Sequence, residues 1–209
     1  MGVPIDVPGL NSIVPEVEDG RMVVIDAAGD PAKSFFIRRL TLSAIREGRA
    51  VTFVTTRDRA EVKSMLGVEG GARPWSESDV EIVEGDGVGG LGALGRSGGM
   101  MAIDSFSFLN IGAPGVEVAK TLRGLRAACR EKNMTVVLGT DRGMCDASTE
   151  AIVAHLADGV IQFHAAEGPE GLVRFLRIPK WGNGKIVDRN VHYDFDGKRI
   201  AVDLRKRVL

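Results

Sequence analysis

The chain has 209 residues, of which 44% are hydrophobic and 26% charged, with 27 basic against 28 acidic residues. This composition is typical of a globular protein with its own core, and it excludes fibrous, disordered and membrane-embedded chains. The balanced charge gives no overall field that would attract a polyanion. The two cysteines form no CxxC pair, the three histidines lack metal-ligand spacing, and no apolar run is long enough to span a membrane. We therefore expect a reduced cytoplasmic protein with no structural zinc and no membrane insertion.

The first three quarters of the chain alternate apolar strands with amphipathic helices. Residues 1–20 contain three prolines and end in an acidic turn, which predicts an extended arm. Gly48 is the predicted stop of the first helix, Asp58 opens the second, and Ser148 caps the last. We predict strands over 21–26, 50–56, 80–83, 99–105 and 134–140, and helices over 33–47, 58–67, 116–133 and 148–157. This alternation predicts a parallel sheet.

Two stretches depart from the alternation. Residues 85–99 hold eight glycines, too many for the interior of a helix or strand, which predicts a mobile loop. From residue 158 onwards, short alternating runs are separated by EGPEG, KWGNGK and DGK, which predicts antiparallel hairpins. The expected fold is a single α/β domain over 1–209, with three layers, a central mostly parallel sheet and antiparallel strands at its carboxyl-terminal end.

The first turn between a strand and a helix has the frame of a phosphate-binding loop. It matches GxxxxGK[ST] with Ala27 and Ala32 in the two glycine positions. Such a loop works because backbone N–H groups and a helix N-terminus converge on the phosphates, while the lysine reaches the β and γ groups and the hydroxyl holds Mg²⁺. The alternative is a structural turn whose lysine faces solvent. The candidate nucleotide-binding residues are Ala28, Gly29, Asp30, Pro31, Ala32, Lys33 and Ser34.

A second acidic position supports this interpretation. The apolar strand after the glycine-rich loop ends at Asp104, which is where an aspartate that holds the water shell of Mg²⁺ is expected. The alternative role for Asp104 is to cap the following turn. With Ser34, it completes a candidate magnesium site.

These motifs resemble the RecA superfamily, and within it the KaiC-like branch that includes the archaellum regulator and the archaeal RadA relatives. The lead VPGLNSIVPEVEDGRMVVID is similar to the family's entry into the phosphate loop. The segments LADGVIQF, VRFLRIPKWGNG and DFDGKRIAVD are similar to its carboxyl-terminal strands. The resemblance implies a RecA-like fold, hexameric rings with nucleotide between subunits, and ATP with Mg²⁺ held by Lys33, Ser34 and Asp104.

The chain departs from the family at both catalytic positions. Where the family carries a glutamate base after its second strand, this chain reads Thr56-Arg57-Asp58. Asp58 could act in its place, but its side chain is one methylene shorter, and its alternative role is to cap the next helix. The family's Lys-x-Arg pair, which contacts the neighbouring subunit's nucleotide, retains Lys180 without the arginine. Because an arginine finger contributes about 10³–10⁵ in rate, these departures predict little hydrolysis.

Three functions remain open from the sequence. The first is a KaiC-like regulatory or scaffolding subunit with a degenerate nucleotide loop, which binds ATP and Mg²⁺ weakly or not at all and assembles with protein subunits as a hexamer or dimer. The second is a slow ATPase that uses Lys33, Ser34 and Asp104. The third is a RadA-like DNA-binding module. The loops that would contact DNA, 105–115 and 140–147, contain Arg142 as their only cation, which argues against this function.

Overall fold

A computed structural model describes residues 2–69, 76, 78–85, 87, 89–168, 171–182 and 184–207. The strands are β1 (Val3–Pro4), β2 (Glu16–Val17), β3 (Met22–Ala27), β4 (Val51–Thr55), β5 (Val80–Glu84), β6 (Met100–Ile103), β7 (Thr135–Asp141), β8 (Gly159–Gly168), β9 (Gly171–Trp181), β10 (Lys185–Phe195) and β11 (Ile200–Arg207). The helices are α1 (Ala32–Arg46), α2 (Arg59–Glu69), α3 (Leu91–Leu94), α4 (Phe106–Leu109), α5 (Gly115–Glu131) and α6 (Ala147–Leu156), with a 3-10 turn at Leu10–Ser12.

The main sheet has the strand order β11-β10-β9-β8-β3-β7-β6-β4-β5. All pairs from β8 to β5 along this order are parallel, and β8 to β11 pair antiparallel. Helices α1 and α2 pack on one face of the parallel part, and α3 to α6 pack on the other, with a separate hydrophobic cluster on each face. The predicted α/β fold with a mostly parallel sheet and antiparallel carboxyl-terminal strands is confirmed.

Local sequence accounts for how α1 is bounded. Gly48 adopts φ +73°, a left-handed conformation that glycine reaches without a Cβ penalty. Its N–H donates to the carbonyl of Ile45 at 2.9 Å, and the N–H of Arg49 donates to the carbonyl of Ala44 at 3.0 Å. These bonds satisfy the last carbonyls of the helix, so α1 ends where the glycine predicts.

Two local predictions require correction. Helix α6 is capped by Asp146 rather than Ser148, because the Asp146 side chain accepts hydrogen bonds from the N–H groups of Ser148 and Thr149. These bonds hold the pKa of Asp146 below its usual range. Within the glycine-rich loop, Leu91–Leu94 forms a helical turn, since buried Leu91 packs into the core. Residues 86 and 88 of that loop lie outside the described residues.

The amino-terminal arm lies against the sheet through its apolar side chains. Strands β1 and β2 pair antiparallel, and β1 contacts α1. Asp6 binds Arg39 at 2.5 Å and Arg46 at 2.8 Å, which fixes the arm to that helix. The buried apolar residues of the arm are Val3, Ile5, Val7, Leu10, Val14 and Val17. In the part of the chain that the structure describes, we find no helix with the length and apolarity to cross a membrane.

Candidate functional site

The candidate nucleotide loop lies at the carboxyl edge of the parallel sheet. It joins β3 to α1, and the next strand in the sheet, β7, places Asp141 beside Ala27 in register. Strand β6 follows β7 and ends just before Asp104. Because parallel strands present their carboxyl ends at one edge, the sheet brings the loop and Asp104 to the same side of the molecule. Gly139 permits this approach, since a Cβ there would lie 2.2 Å from the Asp104 carbonyl oxygen.

Lys33 is buried and bonded within the chain rather than facing solvent. Its residue is 4% exposed, and its Nζ donates to Asp141 Oδ2 at 2.5 Å. Asp141 is itself held in place because its N–H donates to Ser107 Oγ at 3.0 Å. The ammonium that would contact the β and γ phosphates is therefore neutralised by a carboxylate. Asp141 is not among the site residues that the sequence predicts, because no local pattern indicates that β7 lies beside β3.

Asp30 occupies the amino end of α1 with a second carboxylate. Its side chain is 5% exposed, and its Oδ1 accepts from the N–H of Ala32 at 2.8 Å. Its Oδ2 accepts from the Tyr193 hydroxyl at 2.7 Å and lies 3.6 Å from Arg174 Nε. Burial and the neighbouring Asp30 raise the pKa of Tyr193. A phosphate in such a loop binds the N–H groups at the helix N-terminus, and here one of them, that of Ala32, already donates to the chain's own carboxylate.

The other predicted loop residues differ in burial and backbone conformation. Ala32 is fully buried in the core, so the methyl group at the second glycine position is accommodated by packing. Gly29 has φ +72°, which allows the chain to turn from β3 towards α1. Ala28, Gly29 and Pro31 are exposed, and Ser34 is half-buried.

Asp104 is buried and incompletely bonded. It is 3% exposed, and its Oδ1 has no hydrogen-bond partner among the described residues. Its Oδ2 lies 3.6 Å from Arg57 Nε. The alternative role of Asp104, capping the turn that follows, has no support from these contacts. Ser105, at the amino end of α4, makes no side-chain capping bond, and Asp104 Oδ1 accepts no hydrogen bond from the described residues. Arg57 follows β4, so it places a cation where the resemblance expects a glutamate.

Asp58 and Lys180 both make contacts with helix ends. Asp58 is exposed, and its Oδ1 accepts from the N–H of Glu61 at 2.8 Å, which caps α2. Lys180 Nζ donates to the carbonyl of His155 at 2.8 Å, at the carboxyl end of α6. That helix packs on the face opposite α1, so Lys180 does not reach the loop of its own chain. The base and trans-contact roles of these two residues stay predictions.

Comparison with known proteins bears on the fold. No family model matches the chain, and no curated protein matches it. Two solved structures superpose with TM-scores of 0.77: a KaiC-like protein from the hyperthermophilic archaeon Pyrococcus horikoshii OT3, at 19% identity over 97% of this chain and 99% of that one, and the flagellar accessory protein FlaH from Methanocaldococcus jannaschii, at 16% identity over 98% and 100%. The chain therefore has the same fold as these two proteins, which we call the KaiC-like fold.

Within this KaiC-like fold, the residues at the loop do not fit Mg²⁺ with ATP as they are arranged. The unpartnered Oδ1 of Asp104 is a carboxylate oxygen of the kind that serves as a ligand for a divalent cation. However, the guanidinium of Arg57 already faces this carboxylate. Lys33 is held by Asp141, and the N–H of Ala32 at the start of α1 donates to Asp30. As they are arranged, Lys33, the N–H of Ala32 and Asp104 each already have a charged partner within the chain.

The loops that resemble DNA-binding segments offer little free positive charge. Arg142, their only cation, donates through Nε to Asp26 Oδ2 at 2.9 Å and lies 3.2 Å from His164 Nδ1. Burial, together with Arg142 and Arg177, lowers the pKa of His164 to about 4. A surface that follows a phosphate backbone needs several unpaired cations, and Arg142 is already paired.

Proposed function

We propose that this chain is a regulatory or scaffolding subunit with a KaiC-like fold, in which the chain's own side chains close the nucleotide site. It binds ATP weakly or not at all and hydrolyses little. The observation that carries the proposal is the contact of the buried Lys33 Nζ with Asp141 Oδ2 at 2.5 Å. Its function then depends on contacts with other protein subunits, either copies of itself in a dimer or hexamer or a different partner.

The energetic basis is that a nucleotide must first separate Lys33 from Asp141. Leaving the buried ammonium of Lys33 without a counter-charge costs about 2–3 kcal/mol, less than for a fully buried pair because the Asp141 side chain is 24% exposed. About 1.4 kcal/mol corresponds to a tenfold change in affinity. The carboxylate of Asp30 adds repulsion towards a phosphate at the start of α1. A nucleotide must offset both terms, so we expect dissociation constants for Mg·ATP in the millimolar range or weaker.

The test is a calorimetric titration with Mg·ATP of the wild-type chain and of an opened variant, Asp141→Asn combined with Arg57→Glu. The first change releases Lys33, and the second removes the cation facing Asp104 and installs a glutamate. We expect no saturable binding by the wild type below about 1 mM and measurable binding by the opened variant, lost again when Lys33→Ala is added. The control is Arg96→Glu, which removes an exposed arginine that pairs with Glu81.

Two outcomes contradict the proposal. Saturable micromolar binding by the wild type, abolished by Lys33→Ala, would mean that the internal contacts do not close the site. Phosphate release by the wild type above that of Lys33→Ala would establish an ATPase instead. Sedimentation at high concentration supplies a separate test of assembly, since a 22.3 kDa monomer with no larger species argues against a homo-oligomer.

One observation favours the second candidate, a slow ATPase that uses Lys33, Ser34 and Asp104. The unpartnered Oδ1 of Asp104 is a buried acceptor, and buried acceptors are nearly always bonded unless a ligand or ion supplies the partner. Magnesium-dependent turnover that Asp104→Asn abolishes would support this candidate.

A further inference from the structure

Four arginines lie towards the amino edge of the sheet, away from the nucleotide loop. Arg21 directly precedes β3, and Arg123, Arg126 and Arg130 belong to α5, which ends at this edge before β7 begins. Because an α-helix has 3.6 residues per turn, residues spaced three, four and seven apart share one face. The three α5 arginines therefore form one stripe, and with Arg21 we name them the amino-edge arginine cluster.

Three of these guanidinium groups converge on one buried carboxylate. Asp158 Oδ1 accepts from Arg126 Nη2 at 2.7 Å. The same oxygen lies 3.8 Å from Arg130 Nη2 and 4.0 Å from Arg21 Nη1. The Asp158 side chain is 5% exposed, and its other oxygen accepts from the N–H of Met22. A carboxylate fixed in this way holds the arginines beside one another at the surface.

The cluster carries more positive charge than its acidic neighbours neutralise. Glu18 accepts from Arg21 Nε at 3.1 Å, so Glu18 and Asp158 together oppose four guanidinium groups with two carboxylates. The side chain of Arg130 is 58% exposed and meets Asp158 only at 3.8 Å. Exposed Arg123 has no side-chain partner among the described residues. Guanidinium groups held this close repel one another, and a further anion would relieve that repulsion.

The surroundings of the cluster favour carboxylates carried by a protein over a nucleic acid. Arginine binds carboxylates and phosphates alike through its planar fork. A phosphate backbone needs a long track of cations, whereas Glu18, Asp158 and exposed Glu131 interrupt this surface. Trp181, whose neighbour Gly182 donates to the Asp158 carbonyl, is 8% exposed and offers no stacking surface to a base. The stripe is about 10 Å long, a length that two or three carboxylates on one face of a helix also span.

We propose that the amino-edge arginine cluster docks an acidic helical segment of a partner protein, whose carboxylates bind Arg123, Arg126 and Arg130. The partner supplies the negative charge that Asp158 and Glu18 do not. This inference rests on the scaffolding role proposed above but not on closure of the nucleotide site. ATP binding by the wild type would therefore contradict the closed site and leave the docking surface unaffected.

Fluorescence anisotropy on the full chain tests the proposal with a labelled, alanine-based helical peptide that carries glutamates along one face. The comparison probes are the same peptide with glutamines and a single-stranded DNA of equal charge, with inorganic phosphate as a competitor at constant ionic strength. We expect saturable binding of the glutamate peptide that weakens with added salt, and no binding of the glutamine peptide. No saturable binding of the glutamate peptide, tighter binding of the DNA, or displacement by an equal concentration of phosphate would each overturn the proposal.

A matched pair of double variants locates the binding. Arg123→Gln with Arg130→Gln removes two exposed cations of the cluster, whereas Arg189→Gln with Arg199→Gln removes two exposed arginines from the antiparallel part of the sheet. Affinity for the glutamate peptide should fall by about fivefold or more in the first double variant and by less than about twofold in the second. Equal losses would show a general attraction between charges and overturn the site. Self-association of the wild type that the first double variant removes would assign the surface to a second copy of the chain, which also contradicts the proposal.

Discussion

Asp158 at the amino edge of the sheet and Asp104 at the carboxyl edge are both buried carboxylates near arginine side chains, but they are bonded differently. Asp158 Oδ2 accepts from the N–H of Met22 at 3.1 Å, and its Oδ1 lies 2.7 Å from Arg126. Asp104 Oδ1 has no partner among the residues described, and its Oδ2 lies 3.6 Å from Arg57. A fully bonded carboxylate holds strands together, while a partly bonded one at a ligand-binding edge is costly to the fold.

The same difference extends to the surroundings of each carboxylate. Near Asp158, Lys180 donates to a carbonyl at the carboxyl end of α6. This is a favourable position for a cation, because the carboxyl end of a helix is negative. At the carboxyl edge, Asp30 accepts from the N–H of Ala32 and Lys33 donates to Asp141. The carboxylate at the amino edge is thus fully bonded, whereas the carboxyl edge, where we propose a closed nucleotide site, holds a carboxylate that is only partly bonded.

The largest expected effect is a difference in how much the substitutions of Asp158 and Asp104 lower the free energy of unfolding. Asp158→Asn weakens two hydrogen bonds to a charged group, from the N–H of Met22 and from Arg126. We expect the free energy of unfolding to fall by about 3–4 kcal/mol, because each such bond contributes about 1.5–3 kcal/mol. Asp104→Asn should change it by less than about 1 kcal/mol, because desolvation offsets the weak contact with half-exposed Arg57. Urea denaturation at pH 7 measures both. Equal losses at the two positions would contradict the comparison.

The next effect concerns the closed nucleotide loop. Asp141→Asn leaves the buried ammonium of Lys33 without its counter-charge, and we expect a loss of about 2–3 kcal/mol in unfolding free energy. A double-mutant cycle with Lys33→Met should give a coupling energy of about 1–3 kcal/mol. Additive effects of the two substitutions would show that the pair does not hold the loop.

A smaller effect is expected from the hydrogen bond between Tyr193 in strand β10 and Asp30 in the loop. Tyr193→Phe removes only the hydroxyl that donates to Asp30 at 2.7 Å. Because hydrogen bonds to charged groups contribute about 1.5–3 kcal/mol, we expect a loss near the lower end of that range in chemical denaturation. The ring of Tyr193 also packs edge-on against Phe163 at 5.2 Å, and phenylalanine keeps this contact. No change in stability would mean that Asp30 is held by its other contacts.

The smallest effect is a pH dependence that arises at half-buried His164. Its pKa is lowered to about 4 in the folded chain, first by burial and then by Arg142 and Arg177, against an ordinary value of 6.5. The folded chain therefore resists protonation, and the stability that depends on neutral His164 is present above pH 6.5 and lost as the pH falls towards 4. His164→Phe should reduce the drop in the urea midpoint between pH 7 and 4.5. An identical drop in the variant would contradict this account.

Much of the fold follows from local patterns in the sequence. The apolar strands and amphipathic helices predict the parallel sheet, and the observed bounds of α1, β4 and β7 lie within one or two residues of the predicted ones. The exceptions arise where a tertiary contact outweighs a local preference, as at Leu91, whose burial in the core stabilises a helical turn among glycines. The glycine count alone could not reveal that contact.

What the sequence by itself determined is the position of the loop, its lysine and its strand-end aspartate, because each follows from neighbouring residues. What only the tertiary structure decided is how these groups are bonded. Lys33 and Asp141 are 108 positions apart, and Asp30 and Tyr193 are 163 apart. Strand order brings such residues together, and local periodicity contains no information about that order. The contacts of Lys33 and Asp30 are therefore a property of the folded sheet.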